Sequence, residues 1–150
     1  TFVGCSTGDG SYSHGIYCTT RSVLVRGCRW TGCGSPLALY GVDGVVVDGC
    51  TFEDPALANK SRTGWHKPYF FILNNGPARV TGCRLTGAWD YYVIGHAPRN
   101  PGEVVFEGND LREATFERWS GWWGEPSWTR DQWLAAGQDA GTQMPAVSPA

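Results

Sequence analysis

Two tyrosines, a histidine and a carboxylate recur at one place beside short apolar runs. His14 opens "HGIYC" (14–18), Tyr69 opens "YFFIL" (69–73) and Tyr91 opens "YYVIG" (91–95). "PLALY" (36–40) puts Pro36 at the matching point. Asp90 stands just before Tyr91, and Lys67 and Trp89 stand one residue further out in their copies. Aromatic faces can stack on sugar rings through apolar and CH–π contact. A carboxylate, a lysine or a histidine beside them can bind hydroxyls or uronate groups, or move a proton. The candidate catalytic residues are therefore His14, Lys67, Asp90 and Tyr91, and the candidate substrate contacts are Tyr69, Trp89, His66 and Arg62. Arg62 and His66 belong to "EDPALANKSRTGWHKP" (53–68), a polar stretch of a length that often walls a groove. Each residue also has a plainer role. His14 could bond a turn, the tyrosines could pack under the 53–68 stretch, Asp90 could serve a turn, and Lys67 and His66 could be solvated.

Two reactions suit these side chains. Elimination takes the proton beside a uronate carboxylate, using a base such as His14, Lys67, Tyr69 or Tyr91, with a cation stabilising the enolate-like intermediate. Hydrolysis requires two carboxylates at a fixed separation. Asp90 has no partner in its own column, and Asp9, Glu53 and Asp54 are unaligned with it, so elimination fits slightly better. No motif demands a cofactor. Ca2+ could supply the cation, although the sequence shows no cluster of aspartates to hold it. No CxxC pair points to zinc.

The elements that would position these residues follow from a phrase written four times: "VLVRGCRW" (23–30), "VVVDGCTF" (45–52), "ARVTGCRL" (78–85) and "VVFEGNDL" (104–111). Aligned on the glycine, Val25, Val47, Val80 and Phe106 form one column. Arg26, Asp48, Thr81 and Glu107 form the next, and Trp30, Phe52, Leu85 and Leu111 another. Apolar and polar columns alternate with the period of a half-buried strand. Gly27, Gly49, Gly82 and Gly108 imply a bend where a side chain would obstruct or φ is positive. The apolar anchor recurs at 2, 30, 52, 85 and 111, and a period in the twenties with loop-length variation signals a solenoid. In the apolar runs, Gly15, Leu37, Phe70 and Tyr92, then Tyr17, Leu39, Ile72 and Ile94, are expected to face the core.

The pattern resembles the right-handed parallel β-helix of pectate-lyase-like proteins. The resemblance covers residues 1–112 and implies an all-β solenoid of about four to five coils. It also implies a binding groove along the outer strand face that carries His14, Tyr69 and Tyr91. It implies a polysaccharide lyase or, next, a glycoside hydrolase, secreted and acting on an extracellular polysaccharide. The fold hosts lyases, hydrolases, epimerases and non-catalytic spikes, so a carbohydrate-binding or structural segment stands as the alternative. Characterised β-helix enzymes usually have more coils. With no initiator Met and a start inside a repeat, the chain is expected to be a mature form or a piece. Preceding coils, or another chain, would then meet its N-terminal end.

Residues 113–150 carry five tryptophans and leave the repeat. Thr129 and Gln132 fit a capping box, 130–136 are good helix formers and Gly137 is a natural stop. This tail is read as a C-terminal cap within the same domain, and "DQWLAAGQDAG" resembles the tails of bacterial secreted β-helix proteins. Cys28, Cys50 and Cys83 are expected as an inward stack continued by Asn109, and Cys5 and Cys33 as another continued by Ala88. Buried thiols are favoured over disulfides, because side chains projecting in parallel fit disulfide geometry poorly. The formal net charge of −2 and the lack of a basic run give no footprint for nucleic acid. No apolar run is long enough to span a membrane, and the N-terminus has no signal-peptide pattern.

Overall fold

A computed structural model describes residues 1–3, 15–34, 36–55, 69–73, 77–95, 104–121 and 127–146. Most of these are strand: β1 (Phe2–Val3), β2 (Ile16–Arg26), β3 (Arg29–Thr31), β4 (Leu37–Asp48), β5 (Thr51–Glu53), β6 (Tyr69–Leu73), β7 (Ala78–Thr81), β8 (Arg84–Gly95), β9 (Val104–Glu107) and β10 (Asp110–Gly121). The one helix among the described residues is α1 (Arg130–Ala135). The named strands form a ten-stranded sheet in the order β1-β3-β5-β8-β6-β4-β7-β9, with β2 on β4 and β10 on β8. Every pairing in it is parallel.

The repeated phrase sets the register. Val25 lies opposite Val47, Val47 opposite Val80, and Val80 opposite Phe106. Beyond the glycine bend, Phe2 lies opposite Trp30, Trp30 opposite Phe52, and Phe52 opposite Leu85. Like side chains therefore stack on like, and Val47, Val80, Phe106, Trp30, Phe52 and Leu85 are all buried. The bend glycines sit at φ 62, 62, 62 and 61 for Gly27, Gly49, Gly82 and Gly108. A Cβ at Gly27, Gly49 or Gly108 would meet nothing within 4 Å, so the left-handed backbone, not crowding, requires glycine there. Gly27 and Gly49 donate their N–H groups to the carbonyls of Asp48 and Thr81, both at 3.0 Å, so the bend is itself a rung of the ladder.

The cysteine column turns inward as expected, with Cys50, Cys83 and Asn109 buried and Cys28 half-buried. Cys18, Cys28, Cys50 and Cys83 are free thiols. The hydrogen-bonded Cys50 sulfur, and then burial, push the Cys83 thiol well up. Asn109 replaces the thiol with an amide that copies a backbone rung. Its Oδ1 accepts from Cys83 N at 2.9 Å, and its Nδ2 donates to Val80 O at 3.2 Å.

Three sequence expectations need correction. Tyr17 was expected inward, but it is 62% exposed. Ile16, not Tyr17, shares the row of buried Leu37, which it lies opposite. The cause is a register shift between Thr20/Ser22 and Gly41/Gly44, where β4 holds one extra residue. Ala88 was expected to continue an inward stack, but it faces solvent. Finally, the stack does not stop at residue 112. β10 pairs with β8 from Asp110–Arg84 to Gly121–Ile94, so parallel pairing continues through residue 121.

The end beyond β9 and β10 is closed by residues 127–146. Thr129 and Gln132 make the capping box on α1, and Gly137 follows at φ 80. Gln138 uses its side-chain amide as a strand rung, accepting from Phe106 N at 3.0 Å and donating to Val104 O at 2.7 Å. Leu111 N donates to Gln143 O, and Gln143 N donates to Asn109 O, each at 2.8 Å. An aromatic core links the layers. Trp30 stacks on Phe52, Phe52 meets Phe70 edge-on, Phe70 stacks on Tyr92, and Tyr92 meets Trp133 edge-on.

Asp139 ties this end together. It is buried, and Oδ1 accepts from Thr142 Oγ1 at 2.7 Å and from Tyr92 OH and Asn109 Nδ2 at 3.3 Å, while Oδ2 accepts from Trp133 Nε1 at 2.7 Å. Burial raises its pKa despite these donors. Asp139→Ala would strand several buried donors, and each stranded group is expensive. The expected loss is about 3 kcal/mol in chemical denaturation. Arg26→Ala removes only the exposed pair to Asp48 and should cost less than about 1 kcal/mol.

Candidate functional site

Gly87 marks a tight bend near the start of the outward-facing part of β8. It sits at φ 91, and a Cβ there would lie 2.6 Å from Pro55 Cδ and 3.3 Å from Asp54 Cα. At this left-handed residue the strand bends tightly against the 54–55 segment. Ala88 then faces solvent and Trp89 turns in. Trp89 is 3% exposed, donates Nε1–H to Thr86 O at 3.2 Å and meets Phe70 edge-on. The expectation that Trp89 contacts substrate is thereby corrected, because a ring packed in the core has no face to offer.

Asp90 and Tyr91 follow as half-buried residues. Next to them β10 presents Glu117 and Arg118, both exposed. Arg118 lies opposite Tyr91, and Phe116 lies opposite Trp89, so Glu117 falls beside Asp90. On the other side the backbone of Tyr69 pairs with Tyr91. Tyr69, Tyr91 and Arg118 thus occupy one line across three parallel strands, at a spacing of about 4.8 Å.

The Tyr91 and Arg118 side chains are linked. Arg118 donates from Nη1 to Tyr91 OH at 3.0 Å, and its guanidinium carbon lies 5.0 Å from the Tyr91 ring centroid. The same nitrogen lies 3.8 Å from Asp90 Oδ2. The hydrogen bond to Tyr91, and then the Asp90 charge, raise the Arg118 pKa, so this cation stays charged. A Cβ at Gly121 would come within 3.1 Å of Tyr91 Cε1, so the ring rests against bare β10 backbone. The arrangement holds a phenol oxygen against a fixed positive charge, with two carboxylates alongside.

Among the eight residues expected to form a site, the structure brings Asp90 and Tyr91 together and lays the backbone of Tyr69 beside them. His14, Arg62, His66 and Lys67 lie outside the described residues. Glu117 and Arg118 are not singled out by sequence, because "TFERWSG" lacks the valine-polar-glycine phrase. The available signal was spacing, since Arg118 stands 27 residues after Tyr91, within the range of the repeat. Among the described residues, no group of three or more His, Cys, Asp or Glu side chains is arranged to hold a metal ion. Among the described residues, no helix is long and apolar enough to cross a membrane. The chain matches no protein-family model, and no curated protein or solved structure matches it at a significant level.

Gly87→Ala places a side chain on Pro55 and forces a left-handed residue, a strain of about 1–3 kcal/mol. The variant should unfold at a lower temperature, and its tryptophan emission should shift as Trp89 loses its packing. Unchanged stability and emission would show that the bend is not set by Gly87.

Proposed function

We propose that the chain is a right-handed parallel β-helix, with the 127–146 segment as its cap, in a carbohydrate-active protein of the extracellular space. Its outer face around Asp90, Tyr91, Glu117 and Arg118 engages an acidic polysaccharide. The observation that carries this reading is the Tyr91–Arg118 pair. A half-buried aromatic ring at the surface offers a sugar-stacking edge, and the guanidinium bonded to its hydroxyl offers a bidentate partner for a uronate carboxylate. The parallel stack supplies the track, because successive strands can meet successive parts of a linear chain.

Elimination is the favoured reaction. Arg118 neutralises the uronate carboxylate, which acidifies the neighbouring C–H bond. A base takes that proton, the electron pair forms the carbon–carbon double bond, and the glycosidic oxygen leaves and is protonated. Tyr91 is the base in this reading, its hydroxyl lying 3.0 Å from Arg118 Nη1 on the outer face. Added Ca2+ could share the charge of the intermediate. Hydrolysis is the second reading, and Glu117 is the observation in its favour. Neighbouring positions on parallel strands are about 4.8 Å apart, near the roughly 5–5.5 Å separation of carboxyl groups in retaining glycosidases. Binding without turnover is the third outcome.

Ultraviolet absorbance and reducing ends, followed together on a panel of acidic polysaccharides with and without Ca2+, separate these readings. Rising absorbance is expected, marking an unsaturated product. Reducing ends without absorbance would mean hydrolysis through Asp90 and Glu117. Silence in both, with binding retained, would leave a carbohydrate-binding segment, and no binding would remove the proposal. Tyr91→Phe and Arg118→Ala should each reduce the signal about 100-fold or more. Both should leave the chain folded, because Tyr91 and Arg118 lie at the surface rather than in the core.

A further inference from the structure

The inward cysteine column brings two sulfurs together away from water. The ladder that stacks Asp48 on Thr81 continues past the bend, where Thr51 N donates to Cys28 O and Arg84 N donates to Cys50 O, both at 2.9 Å. Cys28, Cys50 and Cys83 therefore occupy one position in successive layers, about 4.8 Å apart. Cys50 and Cys83 are each 1% exposed. Both are free thiols, and their side chains are hydrogen-bonded to each other. Asn109 stands in the next layer and ends the run of sulfur, its Oδ1 accepting from Cys83 N at 2.9 Å.

The surroundings of this pair suit a soft cation. Cys50 Sγ lies 3.5 Å from Asp48 O and 3.6 Å from Val25 O, and Cys83 Sγ lies 3.5 Å from Thr81 O and 3.9 Å from Val47 O. These carbonyl oxygens are the negative ends of dipoles and favour positive charge between the layers. With metal–sulfur bonds near the roughly 2.3 Å of zinc thiolates, an ion midway between two sulfurs holds them about 4.6 Å apart, close to the layer spacing. The parallel projection that fits a disulfide poorly thus fits a metal bridge. Zinc takes four ligands, and among the described residues no group of three or more His, Cys, Asp or Glu side chains is arranged to hold a metal ion. Two sulfur ligands select instead a soft ion such as Cu(I). Charge agrees with this choice, because an ion of charge +1 that replaces one thiol proton leaves the buried pair neutral.

We propose that Cys50 and Cys83 form a two-coordinate site for a soft monovalent cation, Cu(I) or its analogue Ag(I), bridging two layers of the stack. Cys50 binds as the thiolate and its proton passes to solvent. Cys83 binds through its sulfur, keeps its proton and turns it toward Thr81 O or Val47 O. Solvent reaches the column at half-buried Cys28, whose sulfur can pass the ion inward by ligand exchange. This site is separate from the Tyr91–Arg118 face and does not depend on its assignment.

The test uses the full reduced chain, with Cu(I) as the probe in competition with a coloured Cu(I) chelator. The chain should withhold one equivalent of Cu(I) from the chelator, and that equivalent should raise its unfolding temperature. Cys50→Ala and Cys83→Ala should each weaken binding at least about 100-fold, since a lost ligand costs no less than a lost outer-shell partner. Cys18→Ala should bind like the unaltered chain. X-ray absorption of the unaltered chain loaded with one equivalent is a second readout that needs no variant. The copper should have two sulfur neighbours and no nitrogen or oxygen. Failure to withhold the ion, any other first shell, or undiminished binding by a folded Cys50→Ala or Cys83→Ala chain would overturn the proposal. Binding abolished by Cys18→Ala would overturn it too, by placing the ion on a thiol outside the column.

Discussion

Parallel strands in register impose one requirement on every residue of this chain. A side chain sits about 4.8 Å from its counterpart in the next layer, so whatever fills a column must tolerate a near copy of itself above and below. Buried valines and aromatic rings do this well, and Val25, Val47, Val80 and Phe106 share one such column. The ladder also fixes the bends, because the glycine N–H groups at 27 and 49 bond the next layer while their backbone is left-handed. On the outer surface the same spacing brings Arg26 to Asp48 and Arg79 to Glu107. Such exposed pairs add little stability. Their arrangement disfavours a slipped register, which would bring like charges together.

A stack held in this way has to end. Here the last layer meets side chains that imitate strand backbone. Asn109 and Gln138 each present an amide oxygen and an amide nitrogen to the edge groups that another strand would have satisfied. Asp139 then gathers Tyr92, Asn109, Trp133 and Thr142 around one buried carboxylate. Tyr92 connects this closure to the candidate site. Its ring lies in the core next to Tyr91 in sequence, so the strand that carries Tyr91 is anchored inward by the aromatic cluster and residues 127–146. The rigidity of the face around Arg118 depends on that anchoring.

Much of this was legible in the sequence, and the failures have physical causes. The columns on either side of each bend glycine were readable because the ladder repeats chemistry at fixed positions. The capping box at Thr129 and Gln132 was readable because it is local. Tyr17 was misplaced because one extra residue in β4 shifts the register before the cysteine column, and counting backward from the cysteines cannot detect it. Trp89 was misplaced because Asp90 and Tyr91 are two consecutive partly exposed residues between buried Trp89 and buried Tyr92, so simple alternation fails there. Arg118 and Glu117 were passed over because β10 keeps the register of the repeat without its phrase. Half of the candidate site follows from "DYY" at 90–92, and the other half is supplied by tertiary pairing.

The most direct test is nuclear magnetic resonance of the chain with labelled tyrosine rings and arginine side chains, titrated with a uronic-acid oligosaccharide and with a neutral one. The Tyr91 ring and the Arg118 guanidinium should shift with the uronic oligosaccharide, weakly or not at all with the neutral one, while buried Tyr92 should stay still. Shifts confined to Arg21 or Arg26, or none at saturating oligosaccharide, would contradict the assignment of the Tyr91–Arg118 face.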